Sequence, residues 1–206
     1  MWAAEMRPLL PAIDGRGVLR EAGFALLLRD QRPVDVADLA GAIGIDIAAA
    51  ADTVATLAQA GWLDLDRAGR VVGAAGLSLS TGSHRLMLGA SEFRTWCAYD
   101  SLGIAAALVA DASLETACGQ CHAPIRLAIR GGVPERPGPE RLWLADGGAD
   151  LRGSFCTPTV LLCGKDHGVA WAEKQDGRGR LLDLAEGARQ GGLDWAGCAA
   201  AARRLS

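Results

Sequence analysis

Two short segments carry the side chains best suited to chemistry, Trp96-Cys97-Ala98-Tyr99-Asp100 and Ser154-Phe155-Cys156. In the first, a thiol and a carboxylate stand three residues apart in a stretch that reads as a helix, which places both on one face. In the second, a thiol precedes Thr157, Pro158 and an apolar run. Pro158 biases Thr157 toward extended backbone, so a strand is expected to begin at Cys156, with Cys156 and Thr157 facing opposite ways. Two thiols and one carboxylate suit a soft, thiophilic metal better than zinc, which usually takes four ligands in a structural site. The set points to mercury chemistry. A plain reading remains for each thiol, because buried cysteines are common core residues. Asp100 resists that reading. A carboxylate in a predominantly apolar helix needs a partner or a function, and this one could take a proton from a thiol or hold one for delivery.

Cys118-Gly119-Gln120-Cys121-His122 is the rival constellation. A CxxC knuckle is half of a zinc site and needs a second half. Cys156, Cys163 and His167 lie downstream at loose spacing, so a site of four cysteines, or of three cysteines and a histidine, stays open. Redox use of the CxxC is disfavoured, because it does not open a helix after a βα pattern. His84 and His122 lack flanking acids or complete ligand patterns, and Cys198 in an alanine-rich helix reads as core filling.

The elements that must position these residues fall into two parts. Residues 16–30 have apolar positions at helical spacing, ended by Arg32-Pro33. VDVADLAGAIGID reads as a short helix broken at Gly44, and IAAAADTVATLAQAGW as a second helix stopped at Gly61. LDLD, the turn RAGR and VVGAAGLSLS look like a two-stranded wing. Together they predict a winged-helix-like module within residues 1–80. Its candidate recognition helix offers Asp46, Asp52, Thr53, Thr56 and Gln59 without one Lys or Arg, which argues against DNA binding. Residues 81–206 then read as an α/β core: a long buried helix from Ser91, and short strands at SLETAC, IRLAIR, RLWLAD and CTPTVLLC. A helix at DHGVAWAEKQ, a strand at RLLDL and a C-terminal helix at LDWAGCAAAARRL complete it. The expected class is α+β with a mainly antiparallel sheet.

Composition sets the outer bounds. The 206 residues can bury a real core, and 50% apolar with 22% charged is a globular balance. A net charge of -3 argues against a large non-specific nucleic-acid footprint. The opening MWAAEMRPLLPAIDG, broken by Pro8, Pro11 and Gly15, does not resemble a signal peptide, and the apolar run from Leu102 to Ala110 is too short for a bilayer. A soluble, cytoplasmic protein without membrane partners is expected, its six cysteines kept as thiols.

Over residues 92–195 these segments resemble the organomercurial (alkylmercury) lyases. RTWCAYDSLGIAAAL looks like that family's catalytic helix, in which a Trp-Cys-Ala-x-Asp motif precedes an apolar run, and LRGSFCTPTVLLC resembles its second-cysteine segment. Cys118 with Ala123-Pro124 is similar to the region of a third, structural cysteine, and VAWAEKQDGRGRLLDLAEGARQGG to the C-terminal segment. The resemblance implies that Cys97 and Cys156 bind mercury and that Asp100 handles the proton. It implies protonolysis of an organomercurial substrate to a hydrocarbon and Hg(II). The product would stay on Cys97, Cys156 and Asp100 until exogenous small-molecule thiols or a mercuric reductase take it, with no organic cofactor. Thr157 departs from members that carry an adjacent cysteine there, and Cys121 is an extra thiol beside the structural one. Two other readings compete: a thiol-based, metal-responsive winged-helix regulator, and a zinc-stabilised metal-binding protein.

Overall fold

The structure, a computed structural model, describes residues 15–136 and 138–206; the reading of residues 1–14 as carrying no signal peptide lies outside them. Three helices come first, α1 (Gly15–Asp30), α2 (Val36–Ile43) and α3 (Ile47–Gln59). The turn between α2 and α3 follows from its residues. Gly44 takes the left-handed conformation at φ 70°, and Asp46 caps α3 by accepting the Ala48 N–H at 2.8 Å. Gly61, at φ 79°, sits just past the end of α3, as the sequence predicts.

Strands β1 (Leu63–Leu65), β2 (Val71–Ala74), β3 (Leu77–Ser78), β4 (His84–Leu88) and β5 (Ser91–Thr95) follow. After them come α4 (Ala98–Leu108), β6 (Ala112–Ala117), β7 (Pro124–Arg130) and β8 (Val133–Pro134). These eight strands form one antiparallel sheet in the order β1-β2-β3-β5-β4-β6-β7-β8. The β1–β2 hairpin expected as a wing is therefore the edge of a wide sheet.

A smaller antiparallel sheet, β10-β9-β11, holds β9 (Arg141–Ala145) between β10 (Val160–Leu162) and β11 (Gly179–Leu182). A π-helical turn (Leu151–Cys156) precedes β10, α5 (Lys165–Lys174) follows it, and α6 (Leu184–Asp194) and α7 (Ala196–Leu205) close the chain. The expected single C-terminal helix thus starts at Ala196, with α6 ahead of it and Trp195 at the joint. The α+β class holds.

Helix α4 lies at the centre. Every residue from Ala98 to Ala105 is buried, and Leu102, Ile104, Leu86 and Leu114 are fully enclosed in the core around it. A helix buried all round needs neighbours on every side. Against α6 it comes close because both contact residues lack a Cβ: one added at Gly191 would stand 2.5 Å from the Cα of Gly103. No single helix among the described residues is long and apolar enough to cross a membrane.

Two sequence expectations are corrected. The helix read from Ser91 is strand β5 up to Thr95, and α4 begins only at Ala98. Strand β5 pairs on both sides, Thr95 opposite Leu77 and His84, and those ladder bonds outweigh the apolar run's helical pattern. The strand expected at Cys156 begins instead at Val160. Asp150 accepts the N–H groups of Arg152 and Gly153, each at 3.1 Å, and so opens a helical turn. Thr157, despite the proline after it, stays helical (φ -59°, ψ -47°), its N–H and hydroxyl both donating to the Arg152 carbonyl at 2.9 Å.

Candidate active site

Cys97 occupies the N-cap of α4, with extended backbone at φ -139°, ψ 171°. Asp100, three positions on, reaches back and accepts the Cys97 N–H at 2.8 Å, while its own N–H points to the Cys97 sulfur. This is a capping box in which a thiol takes the place of the usual hydroxyl. The spacing that reads as one helical face works instead through the cap. Thr95 secures the entry, its hydroxyl donating to the Cys97 carbonyl at 3.1 Å and lying 2.6 Å from that of Ser101.

The π turn delivers Cys156 to the same place. One ligand atom each from Cys97, Asp100 and Cys156 lie within 4.8 Å of one another, and all three residues are buried. The three residues singled out by their chemistry and by the family resemblance are thus brought together from segments more than fifty positions apart.

Their electrostatics follow from that burial. Loss of water raises the Cys97 thiol well above its ordinary range, and the neighbouring Cys156 and the Asp100 charge push the same way. Asp100 is pushed up to about 6, chiefly by desolvation; hydrogen bonds from Cys97 and the Arg152 charge hold it from rising further. A carboxyl at this point can both accept and return a proton near neutral pH.

Several supporting residues were not visible in the sequence. Gly76, at φ 89°, backs directly on Asp100: a Cβ there would come within 2.6 Å of the carboxyl carbon. Arg152 lies over the Trp96 ring, 3.2 Å from its centre, and donates to the Gly61 carbonyl at 2.8 Å and to Asp64 Oδ1 at 2.7 Å. Asp64 also accepts the Trp96 indole N–H at 2.8 Å and the Thr81 hydroxyl at 2.5 Å. Tyr99 donates to Asp194 at 2.5 Å and packs edge-on against Phe155 and Trp195. A small apolar cavity of about 20 Å³ beside the triad is walled by Trp62, Trp96, Leu151, Phe155 and Trp195.

The rival cysteines separate cleanly from this set. Cys118, Cys121, Cys163 and His167 form a second cluster, and Cys156 is not part of it. His84 is buried, held 2.7 Å from the Thr116 hydroxyl and pushed down to about 4 by burial. Cys198 is enclosed in the core.

Fold and site define an α+β protein with a buried cluster of two thiols and one carboxylate close enough together to share one ion. The sequence pattern described as MerB, alkylmercury lyase, matches residues 77–197, and the chain belongs to that family. It is 26% identical over 115 residues to an alkylmercury lyase of Streptomyces lividans, across 54% of this chain and 53% of that one. The chain thus aligns with about half the length of this curated relative. Among solved structures, the mercury-bound form of MerB2 superposes with a TM-score of 0.80 at 22% identity, covering 91% of this chain and 93% of that one. The shared fold extends beyond the matched sequence, into the N-terminal helices.

Proposed function

We propose that the chain is an organomercurial lyase that cleaves the carbon–mercury bond by protonolysis. One observation carries the reading: Cys97, Asp100 and Cys156 converge within 4.8 Å in a buried pocket, with Asp100 poised at about 6. Membership of the alkylmercury lyase family supports it.

The substrate R–Hg–X meets Cys97 first. Asp100 takes the Cys97 proton, and the resulting thiolate bonds to mercury as X⁻ leaves. Cys156 then adds its sulfur, and its proton passes to solvent with X⁻. Two sulfurs push electron density onto mercury and weaken its bond to carbon. Protonated Asp100 delivers its proton to that carbon, so R–H departs and Asp100 returns to the carboxylate. Hg(II) remains on the two sulfurs, with Asp100 beside it. Small-molecule thiols or a mercuric reductase remove it, which fits a reducing cytoplasm. No step calls for an organic cofactor.

Exposure to phenylmercuric acetate with excess thiol tests the reading. Wild type should release benzene, whereas Cys97→Ser and Cys156→Ser should release none above background, since one sulfur cannot activate the bond. Equal benzene release from wild type and Cys97→Ser would overturn the assignment.

A further inference from the structure

We propose that Cys118, Cys121, Cys163 and His167 form a tetrahedral Cys3His site for a zinc-class divalent ion, separate from the mercury centre and structural in role. The four ligand atoms lie within 4.8 Å of one another. Two of their separations match the edges of a zinc tetrahedron. Zinc–sulfur and zinc–nitrogen bonds of about 2.3 and 2.0 Å imply sulfur–sulfur edges of about 3.8 Å and sulfur–nitrogen edges of about 3.5 Å. Cys121 and Cys163 sulfurs stand 3.8 Å apart, and Cys118 sulfur lies 3.5 Å from His167 Nδ1. The Cys163 sulfur to His167 Nδ1 distance, 3.0 Å, is that of a thiol–imidazole hydrogen bond, which an ion between them would replace.

The ligands come in two local pairs, Cys-x2-Cys at 118–121 and Cys-x3-His at 163–167, the spacings of structural zinc sites. Backbone geometry shapes the first pair into a knuckle. Cys118 donates its N–H to Ala123 at 2.8 Å and accepts that of His122 on its carbonyl at 2.9 Å, and His122 sits at φ 60° to close the turn. Gly119 donates to the Leu161 carbonyl at 2.9 Å and has no room for a side chain, since a Cβ would stand 2.6 Å from Val160. The second pair spans the end of β10 and the first turn of α5.

Four ligands, one of them an imidazole, satisfy zinc and leave no open position, unlike the two thiols and carboxylate of the first centre. Cys121 is exposed, so an ion can enter. An ion here would tie β6 of the large sheet to β10 of the small one, four residues after Cys156.

The test uses the full chain purified without chelator. Atomic emission should find one zinc per chain, retained by the Cys97→Ser/Cys156→Ser variant. Cobalt(II) added to chelated wild type should give the intense visible bands of a tetrahedral thiolate complex. Cys121→Ser and His167→Gln should weaken binding by more than the roughly 10–100-fold that loss of an outer hydrogen-bond partner costs. Three results would overturn the proposal: octahedral cobalt spectra in wild type, zinc lost with Cys97 and Cys156 instead, or a Cys121–Cys163 disulfide in the protein as isolated. The cobalt spectrum needs no variant, so it tests the site even where a substituted chain misfolds.

Discussion

At the scale of single residues, Asp100 shows what the site costs the fold. Its carboxyl rises from 3.8 to about 6 because burial strips its water faster than its hydrogen bonds replace it. The folded chain therefore holds this proton more tightly than the unfolded chain does. The associated stability is complete below pH 3.8 and is lost as the pH rises through about 6. That interval is worth about 3 kcal/mol. Asp100→Asn keeps an acceptor for the Cys97 N–H but has no charge to bury. Urea unfolding should find it more stable than wild type at pH 7.5, by up to about 3 kcal/mol, with the difference closing near pH 4. The same variant should still bind Hg(II) yet fail to release hydrocarbon. In wild type, kcat/KM should fall below about pH 6, where Asp100 is already protonated and cannot accept from Cys97. A variant no more stable at pH 7.5 would mean that the carboxylate is well solvated by its partners.

At the scale of elements, the site is built from chain ends and turns. Cys97 sits at a helix cap, Cys156 on a π turn and Gly76 at a positive-φ turn between β2 and β3. Gly76→Ala should strain the turn and drive a methyl group into the Asp100 carboxyl. The expected result is a loss of about 1–3 kcal/mol in urea unfolding, with kcat falling further than stability accounts for. Unchanged kcat would show that the Asp100 carboxyl can shift without harm. These placements also explain what the sequence made legible. The helices α1 to α3 and the strands β6, β7, β9 and β11 were readable because apolar periodicity and Gly or Pro stops act locally. Cys97, Asp100 and Cys156 were readable from their chemistry and family pattern. The local conformation around both thiols was not. Whether Ser91–Thr95 becomes strand or helix depends on partners at Leu77 and His84, and the Leu151–Cys156 turn depends on the Asp150 cap overriding Pro158. Asp64 and Arg152 were hidden for a similar reason, and Gly61 was legible only as a helix stop: nothing in the sequence marks their pairing, and they meet only in the fold.

At the scale of the whole molecule, the site is closed. The cavity beside the triad, about 20 Å³, has room for roughly one water and none for an aryl group. The π turn is fastened over it by Arg152, which ties residues 151–156 to Gly61, Asp64 and the Trp96 ring on the other side. For the lyase proposed above, this latch is the expected point of opening for substrate entry. A partly buried, charge-assisted hydrogen bond of this kind contributes about 1.5 kcal/mol, so its loss should shift the opening equilibrium roughly tenfold. Arg152→Ala should accelerate amide exchange across residues 150–157 by that factor and leave α4 protected. Its kcat/KM should move toward aryl over methyl mercurials, since the larger group gains most from an open turn. Because the Arg152 charge also holds Asp100 down, the acid limb of kcat/KM should shift above about pH 6. Unchanged exchange at 150–157 would place the opening elsewhere in the molecule. A shifted acid limb without faster exchange would leave Arg152 as an electrostatic partner of Asp100 alone.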